Sequence, residues 1–235
     1  MIKSKPEMER VPTGIKGLDD AMAGGFIKDS INLVAGSPGS GKSIFAMQYL
    51  VNGAKKYSQP GVYITFEERK DKLLQYMGNF GWDLKKLVAD KKIDILEQSP
   101  VDIKKATAKE ILGLKFKIIR ELKAKRLVID SISAFSLLFQ DDFEKRTANM
   151  QLFEMLRDWG VTALITAEYN VEDHTSMPLD FEVDSIVWLY NMKKGDVRTR
   201  ALEIYKMRGS KHLQKIFPLE LSDKGVIIYP EQSVF

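Results

Sequence analysis

Apolar positions along the chain alternate between short continuous runs and spaced stripes, the pattern of strands followed by helices. Ile31-Asn32-Leu33-Val34-Ala35 reads as a buried strand, and Ile44-Phe45-Ala46-Met47-Gln48-Tyr49-Leu50 as the helix after it. Gly61 to Phe66 is a β-rich strand following the Pro60-Gly61 turn, and a helix runs from about Arg69 to Phe80. Lys91 to Glu97 is a short strand. A helix from Ala106 to about Lys125 carries an apolar stripe from Ile111 through Ile118 and Ile119 to Leu122. Arg126 to Ser131 is an apolar strand ending in an acid. Phe143 to Trp159 is a helix that stops at Gly160, and Val161 to Ala167 is a further strand. Upstream of these, Ile15, Leu18, Ala21 and Met22 recur at helical spacing until Gly24-Gly25 ends that short helix.

From residue 183 the character changes. Val183 to Tyr190, Arg198 to Tyr205, Ile216 to Leu219 and Val226 to Tyr229 alternate with short turns, as an antiparallel C-terminal extension would. The fold class expected is α/β, a mostly parallel central sheet flanked by helices. Residues 1–10 are polar, charged and expected to be flexible; residues 11–235 form a single domain. At 235 residues and 44% hydrophobic, the chain has ample material for one core.

Composition excludes more than it selects. The chain has no cysteine, so disulfides and cysteine metal sites are ruled out. No apolar run reaches membrane-span length, and the first residues lack a secretory apolar segment, so a cytoplasmic protein with no membrane partner is expected. A net charge of +4 permits nucleic-acid contact without arguing for it, because lysine and glutamate are interspersed.

The chemistry begins at Gly36-Ser37-Pro38-Gly39-Ser40-Gly41-Lys42-Ser43, a match to the phosphate-binding P-loop. A strand leads in and a helix leads out, the context the motif requires. Glycines let the loop curl so that successive amides face one concavity, and the helix dipole adds positive potential there. Lys42 reaches the β- and γ-phosphates, and the Ser43 hydroxyl ligates Mg²⁺. Asp130, ending its apolar strand, is placed to hold the Mg²⁺ shell through water. A nucleoside triphosphate and Mg²⁺ are therefore the expected ligands.

Other residues keep two readings. Glu67 and Glu68 sit at the C-terminal end of a strand; one could activate the attacking water, or they could cap the next helix. Adjacent strand residues point opposite ways, so at most one serves as base. Thr166 could sense the γ-phosphate or cap a loop. Residues 170–182, with His174, Thr175 and Pro178, form a polar loop expected to be mobile. Lys206-Met207-Arg208-Gly209-Ser210-Lys211-His212 is either a solvated hairpin end or a phosphate-binding turn that reaches a neighbouring subunit's P-loop, as an arginine finger does.

Taken together, Thr13-Gly14-Ile15-Lys16-Gly17-Leu18-Asp19, the P-loop, Thr65-Phe66-Glu67-Glu68, Asn79-Phe80-Gly81-Trp82-Asp83, Val128-Ile129-Asp130-Ser131, Phe181-Glu182-Val183-Asp184-Ser185-Ile186 and Lys206-Met207-Arg208-Gly209 resemble a single-domain KaiC-like ATPase, a relative of RadA and RecA. The likeness runs from about Arg10 to Tyr229, and the paired glutamates with the Lys-x-Arg-Gly turn are specific to that branch. It implies a RecA-like P-loop NTPase core, ATP as the nucleotide, and a homo-oligomeric ring, commonly hexameric, with ATP at subunit interfaces. By resemblance, Glu67 and Glu68 are the catalytic pair. Ser37, Pro38, Gly39, Ser40, Gly41, Lys42, Ser43 and Ile44 bind nucleotide, and Asn79 contacts the nucleoside. Lys206, Met207, Arg208, Ser210 and His212 contact the nucleotide of the adjacent subunit. The clock member of the family carries two such domains and this sequence one P-loop, so clock function and autophosphorylation are not expected. The leading expectation is a ring-forming Mg²⁺-ATPase that couples nucleotide state to assembly or signalling, with a protein partner the sequence does not name. The alternative is a RadA-paralog-like accessory protein binding single-stranded DNA in recombination or repair. Glu168, Glu172, Asp173, Asp180 and Glu182 make the relevant loop acidic despite Tyr169 and His174, which weighs against direct DNA binding.

Overall fold

The computed structural model describes residues 8–98, 108–170 and 178–234. Nine strands form one sheet in the order β11-β10-β9-β8-β3-β7-β6-β4-β5. The strands are β3 (Ile31–Gly36), β4 (Gly61–Thr65), β5 (Ile93–Glu97), β6 (Arg126–Asp130), β7 (Thr162–Glu168), β8 (Ser185–Lys194), β9 (Val197–Met207), β10 (Ile216–Ser222) and β11 (Gly225–Ile228). β1 (Arg10–Val11) and β2 (Phe26–Ile27) make a separate small hairpin. β8, β3, β7, β6, β4 and β5 run parallel. β9, β10 and β11 are antiparallel to their neighbours. β8 is thus the last parallel strand, and the antiparallel extension begins only at β9.

The helices are α1 (Leu18–Ala21), α2 (Lys42–Lys56), α3 (Lys70–Gly78), α4 (Leu84–Ala89), α5 (Ala108–Leu122), α6 (Ile132–Ser136) and α7 (Asp142–Asp158). A core lies on each sheet face. α2, with Phe45, Met47, Tyr49 and Leu50, packs on the face carrying Val34, Tyr63, Val128 and Leu164. Ile119 of α5, Phe135 of α6, and Leu152, Phe153 and Leu156 of α7 pack on the other, over Leu33, Ile64, Ile129 and Ile165. Strand residues alternate between these faces, so both faces must be apolar and the strands read as continuous runs. Among the described residues no helix is long and apolar enough to cross a membrane.

Two short helices were not anticipated. α4 starts at Asp83, whose carboxylate accepts from the Lys86 amide (3.1 Å), and α6 starts at Ser131, whose hydroxyl accepts from the Ala134 amide (3.1 Å). Both have too few turns for an apolar period to register, so only the caps foretell them. α5 stops short of Lys125 because Lys123 adopts φ 53°, a left-handed turn that breaks the helix. The expected start of that helix at Ala106 lies outside the described residues.

Thr13-Gly14 and Asp19 are a self-contained knot. The Asp19 carboxylate accepts from the Thr13 amide (2.7 Å), the Thr13 hydroxyl (2.6 Å) and the Gly14 amide (2.8 Å). The knot is tied to α2 by Asn52 Nδ2 on Thr13 O (3.1 Å). Below it, Arg126 is fully buried. Its guanidinium donates to Gln59 Oε1 (2.8 Å), Tyr49 O (2.8 Å) and Pro12 O (2.7 Å), and it lies 4.5 Å from the Tyr49 ring centre. None of these acceptors is a carboxylate, and burial pulls the guanidinium pKa below its ordinary value. The side chain bonds the N-terminal segment, α2 and β6 together. Arg126→Ala should strand buried carbonyls and open a void, lowering unfolding stability by about 3 kcal/mol; urea unfolding monitored by tryptophan fluorescence measures this, with Arg126→Lys falling between.

Candidate functional site

The parallel strands deliver their C-terminal ends to one edge, where ligands of open α/β sheets bind. At that edge β3 ends in Gly36 and α2 begins at Lys42. Gly36 tolerates no side chain, since a Cβ would collide with the Leu189 carbonyl of β8. Gly41 holds φ 103° and caps α2 without offering a side-chain acceptor, so the first-turn amides of α2 remain available to an anion. Lys42 Nζ folds over the loop's own carbonyls, donating to Gly36 O (2.9 Å) and Ser37 O (3.2 Å). Burial lowers its pKa, opposed by the negative charges of Glu168, Asp130 and Glu67.

Two buried polar atoms beside the loop, Ser40 Oγ and Asn191 Oδ1, have no hydrogen-bond partner. Asn191 is held by its other end, Nδ2 donating to Pro38 O (3.2 Å). Buried orphans of this kind mark a place where a polar group completes the structure. Of the two, the Ser40 hydroxyl can donate to a phosphate oxygen, and with the free first-turn amides of α2 the loop fits a phosphate chain. Ile44 follows Ser43 in the first turn of α2 and packs against the core.

Asp130 ends β6 with 9% of its surface exposed. Its Oδ2 accepts from the Tyr63 phenol and its Oδ1 from the Thr166 hydroxyl. Thr166 is fully buried and donates its hydroxyl to Asp130. Tyr63 is also fully buried, and burial followed by the charge of Asp130 pushes its pKa well above the ordinary phenol value. Ser43 lies in the first turn of α2 and Asp130 ends β6, so the expected Mg²⁺ pair stands at the sheet edge that carries the P-loop. Among the described residues no cluster of three or more acids or histidines forms a closed metal cage. That donor set fits Mg²⁺, which takes few protein oxygens and fills its shell with phosphate and water.

The structure separates Glu67 from Glu68. The Glu67 carboxylate accepts from Ser131 Oγ, beside Asp130, and acts electrostatically on Lys42. The Glu68 backbone is held by Thr65: its amide donates to Thr65 Oγ1 (3.0 Å), and Thr65 Oγ1 donates to Glu68 O (2.8 Å), while its carboxylate accepts from the Arg69 amide (3.2 Å). The first amide of α3, Lys70 N, donates to Glu97, and the amide of its N-cap residue Arg69 to Glu68. Asn79 is the exposed C-cap of α3, its amide donating to Tyr76 O (3.4 Å); no hydrogen bond to the loop is recorded for it among the described residues.

The basic turn lies elsewhere. β8 pairs Ser185 with Asn32 at the start of β3 and Leu189 with Gly36 at its end, while β9 runs back to pair Met207 with Ser185. Met207 to His212 therefore sit at the edge opposite the P-loop, roughly 16 Å away along β3. Lys206 Nζ donates to Asp180 O and Val183 O (2.9 Å), and burial, then the neighbouring Arg208 charge, lowers its pKa. Arg208 Nη2 donates to Phe181 O (2.6 Å) with about half the side chain exposed. Met207 is buried in the core, and His212 Nδ1 is buried without a partner. Ser210 Oγ accepts from Arg10 Nη2 (2.6 Å), which pins the turn to β1. Of the polar loop, residues 171–177, including Glu172, Asp173, His174 and Thr175, lie outside the described residues.

Sequence reasoning missed four residues here. Arg200 Nε donates to Gly39 O (3.1 Å) and Arg198 Nη1 to Asn191 O (3.3 Å), adding two cations beside the chain's own loop. Their two-residue spacing marks a shared face, but only the β8–β9 pairing carries that face to the P-loop edge. Tyr63 and Asn191 read as ordinary strand residues; nothing in their spacing announces their partners.

A family model described as "ATPase: KaiC" matches residues 11–233. The chain is 36% identical over 234 residues to the circadian clock oscillator protein KaiC of Prochlorococcus marinus subsp. pastoris, covering 96% of this chain and 46% of that one. It is 34% identical over 243 residues to the Acaryochloris marina protein of the same name, covering 97% and 45%. The chain thus spans about half the length of the curated relatives it matches. The crystal structure of a KaiC-like protein from the hyperthermophilic archaeon Pyrococcus horikoshii OT3 superposes with a TM-score of 0.87 at 32% identity, covering 95% of this chain and all of that one. By the family match over nearly its whole length and the likeness to these relatives, the chain belongs to the KaiC family of ATPases and has a RecA-like P-loop fold.

Proposed function

We propose that this chain is a Mg²⁺-dependent ATP hydrolase that works as a ring of identical copies, each site completed by the basic turn of a neighbour. One observation carries the reading. The P-loop, Glu67 and Asp130 converge on one edge of the sheet, while Lys206 and Arg208 stand at the other, where they cannot reach their own loop. Family membership supports ATP as the nucleotide. Six copies are the ring size taken from the family resemblance.

In this reading the amides from Gly39 to Ser43 bind the phosphates, and Lys42 leaves the Gly36 and Ser37 carbonyls to neutralise β–γ charge. Ser43 and Asp130 would hold Mg²⁺, Asp130 through water. When bound, the metal offsets the phosphate charge that develops during transfer. Glu67, oriented by Ser131, takes the proton of the attacking water as the γ-phosphorus–oxygen bond to ADP breaks. Glu68, whose carboxylate accepts from the Arg69 amide, assists. Arg198 and Arg200 hold the loop from their own chain, and Arg208 of the neighbouring copy meets the γ-phosphate. Hydrolysis is then coupled to assembly, which suits signalling to a protein partner. The acidic Asp180, Glu182 and Glu168 at the described ends of the polar loop give the DNA-binding alternative no support.

Turnover per subunit should rise with protein concentration and cease in excess EDTA. Arg208→Ala should lower the rate by ~10³-fold or more, and mixing it with Lys42→Ala subunits should restore turnover, because intact loops then meet intact fingers. A rate that is flat with concentration and unchanged in Arg208→Ala overturns the shared site; a rate raised by single-stranded DNA turns the reading to the recombination alternative. Glu67→Gln should keep ATP binding while kcat falls by about 10²–10⁴-fold; Glu68→Gln should stay near wild type in both, as measured by phosphate release and nucleotide titration.

A further inference from the structure

We infer that Asp184 is a positioning residue for the site shared with the next copy: its carboxylate clamps the start of β3 and faces the Arg208 guanidinium, which sets where that finger stands. This rests on the reading of Arg208 as a finger that serves a neighbour, and concerns a residue that the sequence shows only as one acid before a strand.

The placement follows from register. Ser185, the first residue of β8, stands opposite Asn32 of β3 on one side and Met207 of β9 on the other. Asp184 is therefore one residue outside both ladders, between the first residue of β3 and the first residue after β9. It bonds to each. Its amide donates to Ile31 O (2.8 Å), and its Oδ2 accepts from the Ile31 amide (2.9 Å). Its carbonyl accepts from the Arg208 amide (2.8 Å). Ile31 is buried, so its amide needs an acceptor within the protein, and the carboxylate is that acceptor.

The cations of the turn are held by the segment that leads into Asp184, the 3₁₀ turn Pro178–Phe181 and the residues after it. Lys206 Nζ donates to Asp180 O and to Val183 O (2.9 Å), so two carbonyls fix its tip. Arg208 is held differently. Its Nη2 donates to Phe181 O (2.6 Å), while its Nη1 lies 3.8 Å from Asp184 Oδ1, close enough for charge attraction but too far for a hydrogen bond. A guanidinium carries five N–H donors, and about half of this side chain is exposed, so it keeps donors for a phosphate. The two oxygens of Asp184 thus have separate duties. Oδ2 pins the backbone from which Arg208 departs, and Oδ1 draws the guanidinium to one side. A finger must meet its phosphate in a fixed geometry, and a displacement of about 1 Å costs on the order of 10²-fold in rate.

Ser185 supplies a matched control. Its hydroxyl donates to Asn32 Oδ1 (2.7 Å), joining the same two strands, but that bond runs to β3 rather than to the basic turn. The experiment is phosphate release from mixtures of full-length copies in saturating Mg²⁺-ATP. Asp184→Asn keeps an oxygen to accept from Ile31 and removes the charge that faces Arg208. Alone it should lower turnover per subunit by ~10-fold, while Ser185→Ala stays close to wild type. Mixed with Lys42→Ala copies, Asp184→Asn should regain turnover, because its sound loop then meets a sound finger. Mixed with Arg208→Ala copies it should not, because neither copy brings a well-placed finger. A purely structural role predicts no such asymmetry. Wild-type turnover in Asp184→Asn overturns the inference, as does rescue by both partners or by neither. Rescue by Arg208→Ala alone also overturns it, since Asp184 would then act through β3 on its own loop. If Arg208→Ala and Lys42→Ala copies fail to restore each other, the shared site falls and this inference with it.

Discussion

The parallel pairing of β3 between β7 and β8 is the constraint on which everything else depends. Six parallel strands must end at the same edge, so Gly36, Thr65, Asp130 and Glu168 finish within reach of one another although they are scattered over more than a hundred residues of chain. The pairing also brings β8 so close that only glycine fits at position 36. The phosphate loop is thus shaped by its neighbour strand as much as by its own glycines. Lys42, with Glu168, Asp130 and Glu67 around it, is held over the Gly36 and Ser37 carbonyls at these strand ends.

The same sheet acts as a spacer. β8 and β9 form a long hairpin whose closed end, with Arg198 and Arg200, lies beside the P-loop and whose open end carries Lys206 and Arg208. The two ends cannot exchange roles, because each is fixed by register to opposite ends of β3. At the far edge Asp184 binds both partners: its carboxylate accepts from the Ile31 amide (2.9 Å) and its carbonyl from the Arg208 amide (2.8 Å). The strand that ends in the phosphate loop is therefore anchored at its start to the turn proposed to serve the next copy. A shift at either end would be felt along a rigid six-residue strand rather than through a flexible linker.

Polar groups inside the molecule follow the rule that buried donors and acceptors are matched. Arg126, Asp130, Thr166, Tyr63 and the Asp19 knot are each satisfied by neighbours of fixed position. Among the described residues the exceptions are Ser40 Oγ in the loop, Asn191 Oδ1 beside it and His212 Nδ1 in the basic turn. Unmet hydrogen-bonding capacity is thus found at the two places where the family resemblance puts nucleotide.

What the sequence by itself determined was everything that depends on local spacing. The P-loop from Gly36 to Ser43, the acid at the end of the Arg126–Asp130 strand, the order of strands and helices, and the basic composition of Lys206 to His212 are contiguous patterns, and the chain carries them without reference to its fold. Glu67 and Glu68 were legible as a pair but not as individuals. Their parting was decided by Ser131, which arrives from another strand, and by Thr65, which holds Glu68 back. The short helices α4 and α6 escaped because one or two turns give no period to read. β8 looked like part of the antiparallel extension because apolar alternation does not encode strand direction; its bonds to β3 do. Only the tertiary structure placed Tyr63 and Thr166 on Asp130, set Arg200 beside Gly39, and put the basic turn on the opposite edge. Each of these is a contact between residues far apart in sequence, and no residue type announces which distant partner the register will bring to it.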